Sequence, residues 1–395
     1  MAGNDNIKLY VPGSVEEIEE KAKHYRQKKY KKYGVILGIL LLFLGIAGIA
    51  LIYQKYTSVS VVKTYSNQGA DNNSYAQFAT GVVRYSRDGV VFLNRKNEEL
   101  WNQPCQIQNP VIDVNEEAFA IGDVGGTSIL VFTKDGLKGE IETTLPIEKL
   151  SVSDQGIVSA ILKNESSPKI ITYDAVGNVL VEHQIDVNKT GYPVAVSMSS
   201  DANLLSVSYL NTQTGILISK VGYYNFGTVG QDKTDNQVTL DEYNGVVMAD
   251  LFFMDADTSV AVGDDSFVIY RGKQTPEASD TIKLKKEVVS AFHSDKYIGF
   301  ILRNADTAGY ELCAYNKNGR RVMSVDFTGE YAHIKISGRQ VIMYEGSKAC
   351  IYTIGGIRRF KGDLGADASE LIPVFGINKY LVINANEVKV IRLAK

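Results

Sequence analysis

The run LVFTKDGLKGEI (130–141) reads as a strand, a turn at Gly136 and a second strand, and its recurrence decides the fold. The same unit returns as VFLNRKNEELW (91–101), IITYDAVGNVLVE (170–182), LISKVGYYNF (217–226) and VIYRGKQ (268–274). LCAYNKNGRRVMS (312–324) and CIYTIGGIRRF (350–360) complete the set. Its turn residues, Asn97, Gly136, Gly177, Gly222, Gly272, Gly319 and Gly356, lie 39, 41, 45, 50, 47 and 37 residues apart. An eighth copy, VKVIRLAK (388–395), stops where its turn belongs. A second hairpin precedes each of the last seven copies, as in LSVSDQGIVSAI (150–161) and IKISGRQVIMYE (334–345). Two hairpins per period of about forty residues make a four-stranded propeller blade.

The expectation is therefore an all-β propeller of eight four-stranded blades. Seven is the second choice, because the first blade, around GVVRYSRDGVVFLN (81–94), lacks a clear inner strand. The last blade lacks a fourth strand, and VSVVKTY (59–65) is its natural donor, closing the ring without an open edge.

Ahead of the repeats, twenty uncharged residues run from Gly34 to Tyr53. At 1.5 Å per residue they match a bilayer core of about 30 Å, so they predict one transmembrane helix. Seven basic residues between Lys21 and Lys32, against Lys55 and Lys63 beyond the span, put the N-terminus in the cytoplasm. Ser14 and Glu17 form a capping box for a basic helix leading into it. The predicted organisation is a cytoplasmic tail (1–33), a membrane helix (34–53), a stalk with the closing strand (54–74) and an extracellular propeller (75–395).

Hydrophobic residues at 45 % and charged residues at 22 % exclude a disordered chain. With 42 basic against 45 acidic residues and a pI near 5.9, the balance argues against nucleic acid as a partner. Four histidines, His24, His183, His293 and His333, show no metal-ligand spacing, and no phosphate loop or nucleophile elbow appears. Asp255, Asp257, Asp264 and Asp265 read as turn caps and not as a calcium loop. Cys313 and Cys350 fall at equivalent strand positions, where packing is the expected role. No catalytic residue, cofactor or metal is expected.

GVVRYSRDG (81–89), LPIEKLSVSDQGIVSAIL (145–162), GYPVAVSMSSD (191–201) and YYNFGTVGQ (223–231) resemble an uncharacterised membrane-anchored propeller family of Gram-positive bacteria. The repeat itself resembles that of quinoprotein-type propellers. The resemblance implies architecture and topology and brings no activity.

One joint breaks the rhythm. GYYNFGTVGQDKTDNQVTLDEYNG (222–245) is longer and more polar than the others and has an aromatic start. Loops of this kind on a rigid frame carry binding. Tyr223, Tyr224, Asn225 and Phe226 are therefore the predicted partner-binding residues, with Gln231–Asn244 reordering on binding. Together these features predict a membrane-anchored, extracytoplasmic, non-catalytic binding or scaffold module in the cell membrane, engaging a protein or envelope polymer. A cell-wall glycan hydrolase or lyase with paired carboxylates in the channel is the alternative.

Overall fold

A strand buried on both faces reads as a near-continuous apolar run, and one with a solvated face alternates. The predicted blades contain both kinds. Ala118–Asp123 and Ser128–Thr133 are buried through their interiors, while Gly136–Glu142, the next strand out, is mostly accessible. The computed structural model describes residues 15–66, 73–164, 167–212, 215–305, 308–374 and 376–395. Its described strands form eight antiparallel sheets of four. First strands of several successive blades touch one another, which sets them around the central axis with the fourth strands at the rim. Blades 1 to 7 span 74–104, 110–142, 147–184, 192–244, 248–283, 288–327 and 333–363. Blade 8 takes three strands from 370–394 and its fourth from Ser58–Ser66, as the closing-strand argument expects.

The hydrophobic core lies between neighbouring blades. Phe78, Phe92, Phe119 and Phe132 of blades 1 and 2 form one such cluster, with Trp101 stacked on Phe132 at 5.3 Å between ring centroids. Each outer strand also carries one extra residue against its partner. These bulges include Leu100, Leu180 and Arg359, and Val62 on the closing strand. A bulge increases local twist and bends an edge away from pairing. The strand from the N-terminal side thus repeats the blade geometry in detail.

Two expectations about blades change. The first blade does have an inner strand, Ser74–Phe78, in which only Phe78 is fully buried. Its polar alternation hid it. Gly222 is not a turn: it lies inside Ile218–Asn225, opposite Val207 on one side and Leu240 on the other. Gly136, Gly177, Gly272, Gly319, Gly356 and Asn97 do take the left-handed conformation that tight turns need.

The other compact unit, Met1–Gln54, contains α1, Val15–Tyr53, one continuous helix of 39 residues. Ser14 of the predicted capping box lies outside the described residues. The membrane span expected over Gly34–Tyr53 is corrected: among the described residues, no helix is long and apolar enough to cross a membrane. The single-pass topology, the cell-membrane localisation and the membrane as a partner fall with that span.

Candidate functional site

Inner strands present unpaired backbone groups along the channel, and buried donors of this kind need partners. Side chains of the preceding blade supply them on one side of the ring. Asp113 Oδ2 of blade 2 accepts the Val152 N–H of blade 3 at 2.7 Å, and Asn115 Nδ2 donates to Val152 O at 3.2 Å. Ser151 Oγ accepts from Met198 N at 3.1 Å, and Ser197 Oγ accepts from Phe253 N at 3.3 Å. Burial raises the pKa of the Asp113 carboxyl, although the bonds from Val152 and Ser151 pull the other way. That carboxyl serves the frame.

The turns that follow these strands converge on the mouth of the channel. A cavity of about 690 Å³ opens there, with walls from blades 2 to 6. Its apolar floor includes Met198, Phe253 and Met254, and its rim carries Glu116, Asp154, Asp255 and Asp295. Two lysines stand among these carboxylates. Lys296 Nζ lies 3.0 Å from Asp295, and Lys317 Nζ lies 3.2 Å from Asp255. The bond to Asp295 raises the Lys296 pKa, and Glu116 of blade 2 adds to the shift across the mouth. Burial would raise the Asp255 carboxyl, but hydrogen bonds from Asp257 and Lys317 outweigh it and hold it low. Asp154 Oδ1 accepts the Glu117 N–H at 3.2 Å, tying the rims of blades 2 and 3 together.

His293 completes the wall. Its ring stacks on Phe252 with centroids 3.6 Å apart and planes 3° from parallel. The protein packed around it lowers its pKa to about 4, although part of the side chain stays exposed, so the imidazole is neutral at physiological pH. Sequence spacing missed it, because its neighbours here come from other blades. Asp255 Oδ1 accepts the Asp257 N–H at 3.1 Å, the geometry of an Asx turn. Among the described residues, no group of three His, Cys, Asp or Glu side chains is arranged to hold a metal.

The four residues singled out from the sequence sit together at the end of the third strand of blade 4, with the rings turned inward. Tyr223 is fully buried, and its hydroxyl shares a bond with Ser259 Oγ at 2.7 Å. Tyr224 is buried against His183 and shares a 2.6 Å bond with Tyr209. Asn225 donates to Gln274 O at 2.8 Å and accepts the Gly227 N–H at 2.7 Å. Phe226 is half-buried. Beyond it the irregular joint is shorter than expected, since Gln237–Asn244 is the ordinary outer strand. A short helix, Thr228–Gln231, and a single turn, Thr234–Asn236, fill the rest. This joint lies on the same face of the propeller as the channel mouth, because both are made by turns at that end of the strands.

Comparison with solved structures supports the propeller fold and nothing finer. BamB from Moraxella catarrhalis aligns with a TM-score of 0.52 at 13 % identity, over 85 % of this chain and 100 % of that one. Saccharomyces cerevisiae Sqt1 aligns with a TM-score of 0.52 at 10 % identity, over 87 % of this chain and 100 % of that one. No curated protein matches the chain. The expected membrane-anchored family is corrected: the family match is to an uncharacterised family, and among the described residues no helix is long and apolar enough to cross a membrane. That match covers 52–393, so it begins beyond nearly all of the apolar run and takes in the whole ring. The chain belongs to the family of unknown function DUF5711, whose match spans the eight-bladed ring.

Proposed function

We propose that this propeller is a non-catalytic binding platform that takes a basic segment of a partner protein into its channel mouth. The observation that carries the reading is the convergence of five blades on one cavity whose rim holds four carboxylates against two lysines. Both lysines are already engaged by rim carboxylates, so an incoming cation meets surplus negative charge. The floor of Met198, Phe253 and Met254 suits the alkyl stem of a lysine or arginine whose head stays at the rim. The residues Tyr223, Tyr224, Asn225 and Phe226 belong to this proposal as a support. They stiffen the blade 4 joint from inside and leave its polar part, 227–236, as a second contact on the same face. The glycan-cleaving alternative gains nothing from the geometry: Asp113 is committed to a backbone amide, and Asp255 is held ionised, unsuited to a general acid.

The test uses the full chain and labelled peptides of six lysines, six glutamates or six serines. The lysine peptide should bind most tightly, weaken as salt rises, and lose several-fold affinity in Glu116→Gln with Asp295→Asn. Equal binding of the glutamate peptide, or unchanged binding by the variant, would overturn the reading.

A further inference from the structure

A second cavity opens in the seam between blades 6 and 7, and the two blades form a natural comparison. In blade 6 the third strand, Tyr310–Asn316, puts Glu311, Cys313 and Tyr315 on one face, two residues apart. The outer strand adds Arg321 and Ser324 to that face, because its bulge brings residues on either side of it into line. Glu311 neutralises the cations there, contacting Arg321 and also Lys286 at 2.5 Å.

Blade 7 repeats the pattern with one charge reversed and one added, since Lys361 stands where Ser324 stands. Cys350 and Tyr352 match Cys313 and Tyr315, but Lys348 stands where Glu311 stands. The bulge at Arg359 brings Arg358 and Lys361 onto the same face, opposite Tyr352 and Cys350. Lys348 has Asp363 near it. Among the described residues, neither Arg358 nor Lys361 has an ion-pair partner. Both open onto a cavity of about 400 Å³, within the usual range for small-molecule sites of roughly 300–1,000 Å³. Phe327, Tyr331 and Tyr352 supply its aromatic walls. The far wall carries Asp326, whose Oδ1 accepts from Asn304 Nδ2 at 3.3 Å, so positive charge remains in excess.

We propose that this seam is a binding site for a small aromatic oxyanion, a ring bearing a phosphate or carboxylate, gripped by Arg358 and Lys361. The guanidinium offers a planar fork matched to either oxyanion, and the ammonium adds a point charge. The hydroxyls of Tyr331 and Tyr352 meet at Cys350 on the cavity wall and would turn from it to donate to the ligand. Burial pushes Tyr331 up to about 12, with the neighbouring Cys350 adding to the shift, so it stays protonated.

Calorimetry on the full chain tests this with phenyl phosphate, benzoate and phenol. Phenyl phosphate or benzoate should bind saturably, the stronger of the two naming the oxyanion, and phenol should not. Arg358→Gln and Lys361→Gln should each weaken that binding about tenfold, and Arg320→Gln, removing a cation elsewhere on blade 6, should leave it unchanged. Both variants sit on an exposed outer strand, and an unaltered melting curve certifies their fold. Saturable binding of neither oxyanion overturns the proposal. So does affinity that survives both substitutions, or phenol binding as tightly as the anions.

Discussion

Asp113 joins two blades through one 2.7 Å bond to Val152 N, and burial raises its carboxyl pKa. A carboxyl raised in the folded state binds its proton more tightly there than in the unfolded chain, where it titrates near 3.9. Its contribution is therefore complete below the unfolded pKa and is lost as pH climbs through the raised value. At neutral pH the ionised group is a cost that a neutral amide side chain would not carry. Asp113→Asn, which keeps an acceptor for Val152, should melt about 1–2 °C higher than the parent at pH 7, with the gap closing toward pH 4. Asp113→Ala should cost about 1–3 kcal/mol by stranding that amide. Thermal melts across pH check both, and a gap that widens as pH falls would refute the assignment. In the sequence Asp113 is one more polar residue near a turn. Its duty depends on a strand 39 residues away, and no local pattern carries that. Tyr223 and Tyr224 mislead for a related reason. Aromatic residues beside a polar insertion suit an interface, yet here they fill the space between blades and pair their hydroxyls with Ser259 and Tyr209.

The closing strand, Ser58–Ser66, answers to a rule of sheets and is legible from the repeat count alone. A blade that ends one strand short leaves a row of unpaired amides, and a β-rich run of the right length stands upstream. It pairs with Glu387–Ala394 along its whole length, with Val62 as the bulge. A chain beginning at Lys55 should melt as the parent does, since the ring is a compact unit from that residue. A chain beginning at Ser74 should melt at least about 10 °C lower and aggregate through the bared edge. Calorimetry on the two truncations decides it; equal melting temperatures would mean that the strand is an ornament. Two elements are harder to read. The blade 4 joint looks longer in sequence than it is, because Gly222 imitates a turn inside a strand. The uncharged run before the ring supports a span on length and purity, yet among the described residues no helix is long and apolar enough to cross a membrane.

At the scale of the ring, the seams differ in kind. From blade 2 through blade 5, side chains of one inner strand cap amides of the next, through Asp113, Ser151 and Ser197. Among the described residues, no side chain of a preceding blade caps an inner-strand amide of blade 6 or blade 7. That region instead holds neighbouring cavities that share lining residues, including Phe327 and Tyr331. Val289, the extra residue of the blade 6 inner strand, is exposed beside them. The repeat shows that eight blades exist, but it cannot rank their joints, because ranking depends on which side chains meet across a seam. Local opening follows such differences, since segments with fewer buried partners exchange their amides through cheaper fluctuations. Native-state hydrogen exchange should therefore find Val152, Met198 and Phe253 among the slowest amides, near the limit set by global unfolding. Inner-strand amides of blades 6 and 7, such as Ser290 and Ile334, should exchange faster through a sub-global opening. The Ser151→Ala variant should bring Met198 toward the faster class and leave Ile334 where it was. Uniform protection around the ring, or equal acceleration of both sites, would show that the propeller opens as one body and that the capped seams have no special part in holding it.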